Sequence, residues 1–178
     1  MRQKVTAPTL QALMKDLGAA VKSNGRVYLV GGATAVLIGW RESTIDVDLK
    51  IVPDNEIPRS ISDLKERLQV NIELASPDDF IPMLPGWQER SVFIRREGRV
   101  DFFHYDFYAQ ALAKIERGHK ADLADVREMI GRGLVQPARL LEFFSQIEDL
   151  LYKYPAVDKP SFKRAIEQIV NEYPSKKA

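Results

Sequence analysis

The chain has 178 residues, 45% of them hydrophobic and 29% charged, with a net charge of +1 and no cysteine. This is one domain's worth of chain, with a helical appendage at most, and its apolar content is ordinary for a globular protein. The lack of cysteine excludes disulfides, thiolate zinc sites and a cysteine nucleophile, and the near-neutral charge leaves any nucleic-acid binding to a local patch.

The opening Met1-Arg2-Gln3-Lys4 has no apolar run behind it, so no signal peptide is expected. No stretch approaches the roughly 18 apolar residues that would read as a membrane span. Residues 8–23 read as an amphipathic helix, with Leu10, Leu13, Met14, Leu17, Ala20 and Val21 at helical spacing. Asn24-Gly25 ends it. Val27 to Val30 is a short β-branched run that suits a buried strand. Gly31 and Gly32 follow at once, letting the backbone turn sharply and a ligand approach. Ala33 to Ile38 fit a short buried helix with Gly39 as its left-handed cap, and the N–H groups at its start favour phosphate.

The next strand, Ile45 to Ile51, alternates. Val47, Leu49 and Ile51 take one face, and Asp46, Asp48 and Lys50 the other. Two carboxylates on one strand face repel each other unless a cation sits between them, and Mg²⁺ takes one or two carboxylates plus substrate phosphates. A phosphate cradle and a metal perch are thus about a dozen residues apart, the parts a metal-assisted phosphoryl transfer needs side by side.

Pro53-Asp54-Asn55 reads as a turn, and a helix follows to about Gln69 through Ile57, Ile61, Leu64 and Leu68. Val70 to Leu74 fits a strand with Asn71 and Glu73 on one face; Glu73 reads as a solvated strand residue ahead of a third acidic ligand. Ser76-Pro77-Asp78-Asp79 starts a helical turn, and residues 82–86 are irregular. Residues 89–96 and 99–104 form a hairpin about Glu97-Gly98. Asp101 sits among Val and Phe, where a carboxylate needs a partner or a metal. His104 reads as a strand-end histidine. Arg90, Arg95, Arg96 and Arg99 suit either a phosphate backbone or a solvated edge strand.

The remainder is helical. Asp106 caps a helix through Arg117 that ends at Gly118. A second helix, 120–130, buries Leu123, Val126 and Ile130. A third runs from Pro137 to about Tyr152, and a last one from Pro160 to Tyr173, before a frayed tail at 174–178. The fold class expected is α+β: a small mixed β-sheet flanked by helices, with a C-terminal helical part. The division expected is a core over 1–118 and a helical region over 119–178 packed on it.

Val30-Gly31-Gly32 followed by Asp46-Val47-Asp48-Leu49 resembles the signature of the DNA polymerase β-like nucleotidyltransferase superfamily. The Arg41-x-x-Thr44-x-Asp46-x-Asp48 spelling looks most like small stand-alone prokaryotic nucleotidyltransferases, among them toxin partners of abortive-infection toxin–antitoxin pairs. Lys114-x-x-Arg117, then Lys120-x-Asp122-Leu123-x-Asp125-Val126, is similar to the lysine-and-aspartate helical motif those families carry after the sheet.

The resemblance implies a reaction that moves an NMP from an NTP to an acceptor hydroxyl; the lack of cysteine, of a signal peptide and of an apolar span leads to the expectation of a cytoplasmic location without a membrane. It implies two Mg²⁺ held by Asp46, Asp48 and Asp101. Gly31, Gly32, Thr34, Arg41, Thr44 and Lys120 would face the nucleotide. Lys114 would meet the triphosphate or the leaving charge, and Asp125 would hold a basic residue rather than a metal. The acceptor could be tRNA, a protein or a small molecule, and an antitoxin could be a partner. Two other classes stay open: a catalytically silent nucleotide- or partner-binding module of the same fold, against which the intact Asp-x-Asp counts, and a nucleotide-sugar-binding Asp-x-Asp protein, against which the short intervening helix counts.

Overall fold

A computed structural model describes residues 3–53 and 57–174, so most of the expected turn at 53–55 and of the tail at 174–178 lies outside the described residues. The elements in chain order are α1 (Ala7–Ala20), β1 (Gly25–Val30), α2 (Gly32–Ile38), β2 (Asp46–Val52), α3 (Ile57–Leu68), β3 (Asn71–Leu74), a 3-10 turn (Pro77–Asp79), α4 (Trp87–Arg90), β4 (Val92–Glu97), β5 (Val100–His104), α5 (Phe107–Arg117), α6 (Lys120–Gly131), α7 (Pro137–Ile147), a second 3-10 segment (Glu148–Lys153) and α8 (Lys159–Asn171). The expected α+β class is observed. None of the described helices is long and apolar enough to cross a membrane.

Contacts divide the chain into two units. The first comprises residues 1–76 and 91–105. It holds one five-stranded mixed sheet in the order β3-β2-β1-β5-β4. β1 runs antiparallel to β2 and parallel to β5, β2 is parallel to β3, and β4 is antiparallel to β5 with a bulge between Phe93 and Arg95. The period-two pattern of β2 sets its register. Val47, Leu49 and Ile51 are buried while Asp46, Asp48 and Lys50 are half-buried. The buried set joins Val27, Leu29, Val100, Phe102 and Ile72 with Leu10, Leu13, Met14 and Leu17 of α1 and Ile61 and Leu64 of α3 in one core. Each such side chain contributes roughly 1.5–3 kcal/mol by leaving water. A one-residue slip of β2 would turn its carboxylates into that core.

The second unit comprises residues 77–90 and 106–178. Asp106 caps α5, its side chain accepting a hydrogen bond from the Tyr108 N–H, and Gly118 ends the helix with φ 68°. α5 packs on α6, α7 and α8. Its apolar interior includes Leu112, Ile115, Leu140, Phe144, Phe162 and Ile166, with Phe144 and Phe162 edge-to-face at 5.1 Å.

Three local expectations change. Glu89 and Arg90 lie in the helical turn α4 rather than in a hairpin arm, because Trp87 is buried and the Arg90 guanidinium turns to Asp106. α7 stops at Ile147, and the chain tightens into 3-10 geometry through Lys153 instead of continuing to Tyr152. The buried side of α6 is Asp122, Asp125, Val126 and Met129; of the expected stripe Val126 is fully buried, whereas Leu123 and Ile130 are half-buried. Two carboxylates displace leucine and isoleucine from that face because cations of α5 meet them there.

Candidate active site

β1 delivers the chain into the glycine pair. Val30, its last residue, lies opposite Asp48, the third residue of β2. Gly31 then adopts φ 59° and ψ −121°, a conformation open to glycine and closed to side chains. A Cβ built on Gly31 would stand 3.7 Å from Asp48 Oδ2, and one on Gly32 would run into the side chain of Thr44. The turn therefore needs both glycines, one for its dihedral angles and one for space. It also brings bare backbone against the Asp48 carboxylate.

Thr44 enters β2 in a fixed pose. Its backbone pairs with Val5 through two hydrogen bonds of 2.8 and 2.9 Å, and its hydroxyl donates to the Asp46 carbonyl at 3.1 Å. Gly39 caps α2 in the left-handed region at φ 106°, as its place in the sequence predicts. The amides of Gly39, Trp40 and Arg41 all turn back to the Ala35 carbonyl, which places Arg41 on the loop beside the end of α2. Gly31, Gly32, Thr44, Asp46 and Asp48 thus share one region of the first unit, while Arg41 lies at the far end of α2 from the glycine turn.

Asp46 and Asp48 point to the same side of β2, as the alternation predicts. On the neighbouring strand Asn71 lies beside Asp46, and Glu73 beside Asp48. The Asn71 amide donates to Asp46 Oδ1 at 2.7 Å and to Glu73 Oε1 at 2.8 Å. The donors offered are all hard oxygens, a set that suits Mg²⁺, which keeps waters and substrate phosphates in its remaining positions. Among the described residues no group of three or more His, Asp or Glu side chains is placed to hold a metal. The protein's share would be the two carboxylates of β2.

Asp101 is not brought to that pair. It lies opposite Arg26, four residues along β1 from Val30, or about 13 Å at strand spacing. Its carboxylate meets Arg96 at 3.6 Å. Asp101 faces away from the buried Val100 and Phe102, is partly exposed, and meets its partner in this ion pair.

Thr34 is fully buried. Its hydroxyl donates to the Leu29 carbonyl at 3.1 Å and stands 3.1 Å from His104 Nδ1. That hydroxyl ties α2 to β1 and β5 and does not face a nucleotide. Burial pushes the His104 imidazole down to about 4, so the ring is neutral at pH 7.

Lys114 belongs to the second unit. It is 8% exposed, and its ammonium donates to Asp122 at 3.0 Å and Asp125 at 2.8 Å, themselves 5% and 3% exposed. Arg117 grips Asp122 with two further bonds, of 3.1 and 2.7 Å. Burial raises the Asp122 carboxyl, but the bonds from Arg117 and Lys114 outweigh it and hold the group below its ordinary value. Lys114, Asp122 and Asp125 are the buried members of this network, and Arg117 closes it from the exposed side. Lys120 is exposed at the start of α6. Of the four arginines, Arg90 is taken by Asp106, Arg95 by Glu97 and Arg96 by Asp101.

Sequence reasoning missed Asn71 as part of the site. The available signal was its place on the same strand face as Glu73; what the sequence lacks is the pairing that sets β3 beside β2.

The chain matches, over residues 8–173, the model of a family described as "Nucleotidyltransferase of unknown function (DUF6036)". No curated protein and no solved structure matches it significantly.

Proposed function

The chain belongs to this family of nucleotidyltransferases, and from that premise we propose that it is a Mg²⁺-dependent enzyme that moves an NMP from an NTP to an acceptor hydroxyl. The observation that carries the reading is the pairing of Val30 with Asp48, which sets the Gly31-Gly32 turn so close to that carboxylate that a Cβ added to Gly31 would stand 3.7 Å from Asp48 Oδ2. It sets bare glycine backbone beside a carboxylate pair within one folded unit.

In this reading Asp46 and Asp48 would hold the cation, and the Gly31-Gly32 turn would accept the triphosphate, with Thr44 beside it and Arg41 offered from the loop that follows α2. Mg²⁺ held there would supply charge neutralisation to the triphosphate and the departing pyrophosphate. The acceptor oxygen forms a bond to the α-phosphorus, the bond from that phosphorus to the bridging oxygen breaks, pyrophosphate leaves, and the hydroxyl loses its proton. The protein positions these groups and needs no nucleophile of its own. Asp101 and Thr34 fall outside this arrangement. Lys120 remains a candidate for the nucleotide, and Lys114 for the triphosphate if its carboxylate partners release it. The acceptor class extends to tRNA, protein and small molecules, and a toxin-like role in the cytoplasm under an antitoxin partner is part of the proposal.

The test incubates the protein with each labelled NTP, Mg²⁺ and a cell extract, and asks which class of macromolecule takes up label. Mg²⁺-dependent uptake is the result expected. Thermal stabilisation by NTP and Mg²⁺ without uptake would instead point to the binding-module reading. Neither uptake nor stabilisation would overturn both.

A further inference from the structure

Asn71 stands out once the metal reading of Asp46 and Asp48 is in place. It sits on β3, at the position beside Asp46 in the parallel pairing with β2. A primary amide nitrogen carries two hydrogens and no charge. Asn71 spends one on Asp46 Oδ1 and the other on Glu73 Oε1, at 2.7 and 2.8 Å. Both are short bonds to carboxylates. The amide is thus a clamp between two acidic side chains on neighbouring strands.

We infer that Asn71 is a positioning residue, fixing the rotamer of Asp46 so that its second oxygen faces the cation that Asp46 and Asp48 share. The inference rests on the proposed metal role of that pair. Three features single Asn71 out for it. A lysine or arginine at this position would orient Asp46 equally well but would also neutralise it and compete with the cation; an amide orients without neutralising. An aspartate or glutamate would repel it. The bond also takes one Asp46 oxygen only, leaving Oδ2 as the ligand atom. Finally, the clamp ties Glu73 back to Asn71, so the acid nearest Asp48 on the next strand is held by protein rather than added as a third ligand. The absence of any group of three acidic or histidine side chains placed for a metal among the described residues agrees with that.

Partners that orient a metal-binding carboxylate typically change metal affinity or activity by roughly 10- to 100-fold when removed. The test is a Mn²⁺ titration of purified wild type, Asn71→Ala and Asn71→Gln, by calorimetry or by loss of the free-ion paramagnetic resonance signal. Circular dichroism and melting without metal run alongside. The expected result is a Mn²⁺ dissociation constant raised about tenfold in Asn71→Ala and less in Asn71→Gln, which keeps both donors on a longer arm. Melting without metal should stay near wild type, since Asn71 lies at the partly exposed start of an edge strand. The Mg²⁺ concentration giving half-maximal label transfer should rise in parallel. Equal Mn²⁺ affinity in folded wild type and Asn71→Ala would overturn the inference while leaving the proposed function standing. No Mn²⁺ binding by wild type at millimolar concentration would overturn both. If Asn71→Ala does not fold, Asn71→Ser carries the same comparison.

Discussion

Asp46 and Asp122 are both carboxylates held by a hydrogen-bonding neighbour, yet they are held in opposite ways. Asp122 lies buried and is gripped by Lys114 and Arg117, so its charge is neutralised on the spot and its titration is pulled down. Asp46 is half-buried, lies two residues from a second carboxylate on the same strand face, and receives its bond from the neutral amide of Asn71. The first arrangement closes on itself and holds α5 to α6. The second aims charge without cancelling it, which is what a cation site requires. The same residue type therefore reads as structure in one unit and as chemistry in the other, and the difference lies in the partner.

The largest expected effect breaks the chemical side. Asp46→Asn and Asp48→Asn keep shape and lose the charge that holds Mg²⁺, so each should cut label transfer by more than about a hundredfold. Melting should stay level, because each change removes one member of a like-charged pair. Mg²⁺-linked stabilisation by NTP should vanish in both. Transfer at the wild-type rate in either variant would remove the pair from the site.

The structural side should break differently. Lys114→Ala leaves Asp122 and Asp125 buried with Arg117 alone, and removing one partner from a buried ion network costs about 3–5 kcal/mol. The midpoint of urea unfolding should fall accordingly. A Lys114→Ala protein as stable as wild type but poor in transfer would move this lysine from structure to the triphosphate.

A pH titration sharpens the contrast, because His104 underpins α2 from the protein side. Its folded value of about 4 lies below the ordinary 6.5. Between those values the unfolded chain binds the extra proton and the folded chain does not, so stability rises with pH across that window. The contribution is complete above 6.5 and is lost as pH falls to about 4, amounting to about 3 kcal/mol at roughly 1.4 kcal/mol per pH unit. Unfolding free energies measured from pH 7 to 5, where carboxylates titrate least, should slope less in His104→Asn than in wild type. Identical slopes would mean that the ring is solvated.

What the sequence disclosed follows the same line. The faces of β2 were legible because alternation is a local property: Val47 and Leu49 must go in, so Asp46 and Asp48 go out together. The Gly31 and Gly39 turns were legible for the same reason, since each glycine stands at the end of an apolar run, and Gly118 because it closes the helix that Asp106 opens. Partners across strands and helices were not. Asn71 meets Asp46 only because β3 lies parallel to β2, and Lys114 meets Asp125 from a different helix. The buried side of α6 was misread because an apolar stripe was sought where two aspartates sit. Thr34, which the resemblance set toward the nucleotide, instead turns its hydroxyl inward to Leu29 and His104.

Asp101 is the smallest expected effect and the finest test of the comparison. It shares the sheet with Asp46 and Asp48 and carries the same charge, and the family resemblance made it their third member. Register separates them: Asp48 pairs with Val30 at one end of β1, and Asp101 with Arg26 near the other. Its ion pair with Arg96 spans 3.6 Å with side chains 56% and 29% exposed, a geometry worth at most about 1 kcal/mol. Asp101→Asn should therefore leave Mn²⁺ affinity and label transfer within about twofold of wild type, and stability within about 1 kcal/mol. A loss of transfer comparable to that of Asp48→Asn would show that the two ends of the strand meet one substrate, and that the carboxylate's partner is not what divides chemistry from structure here.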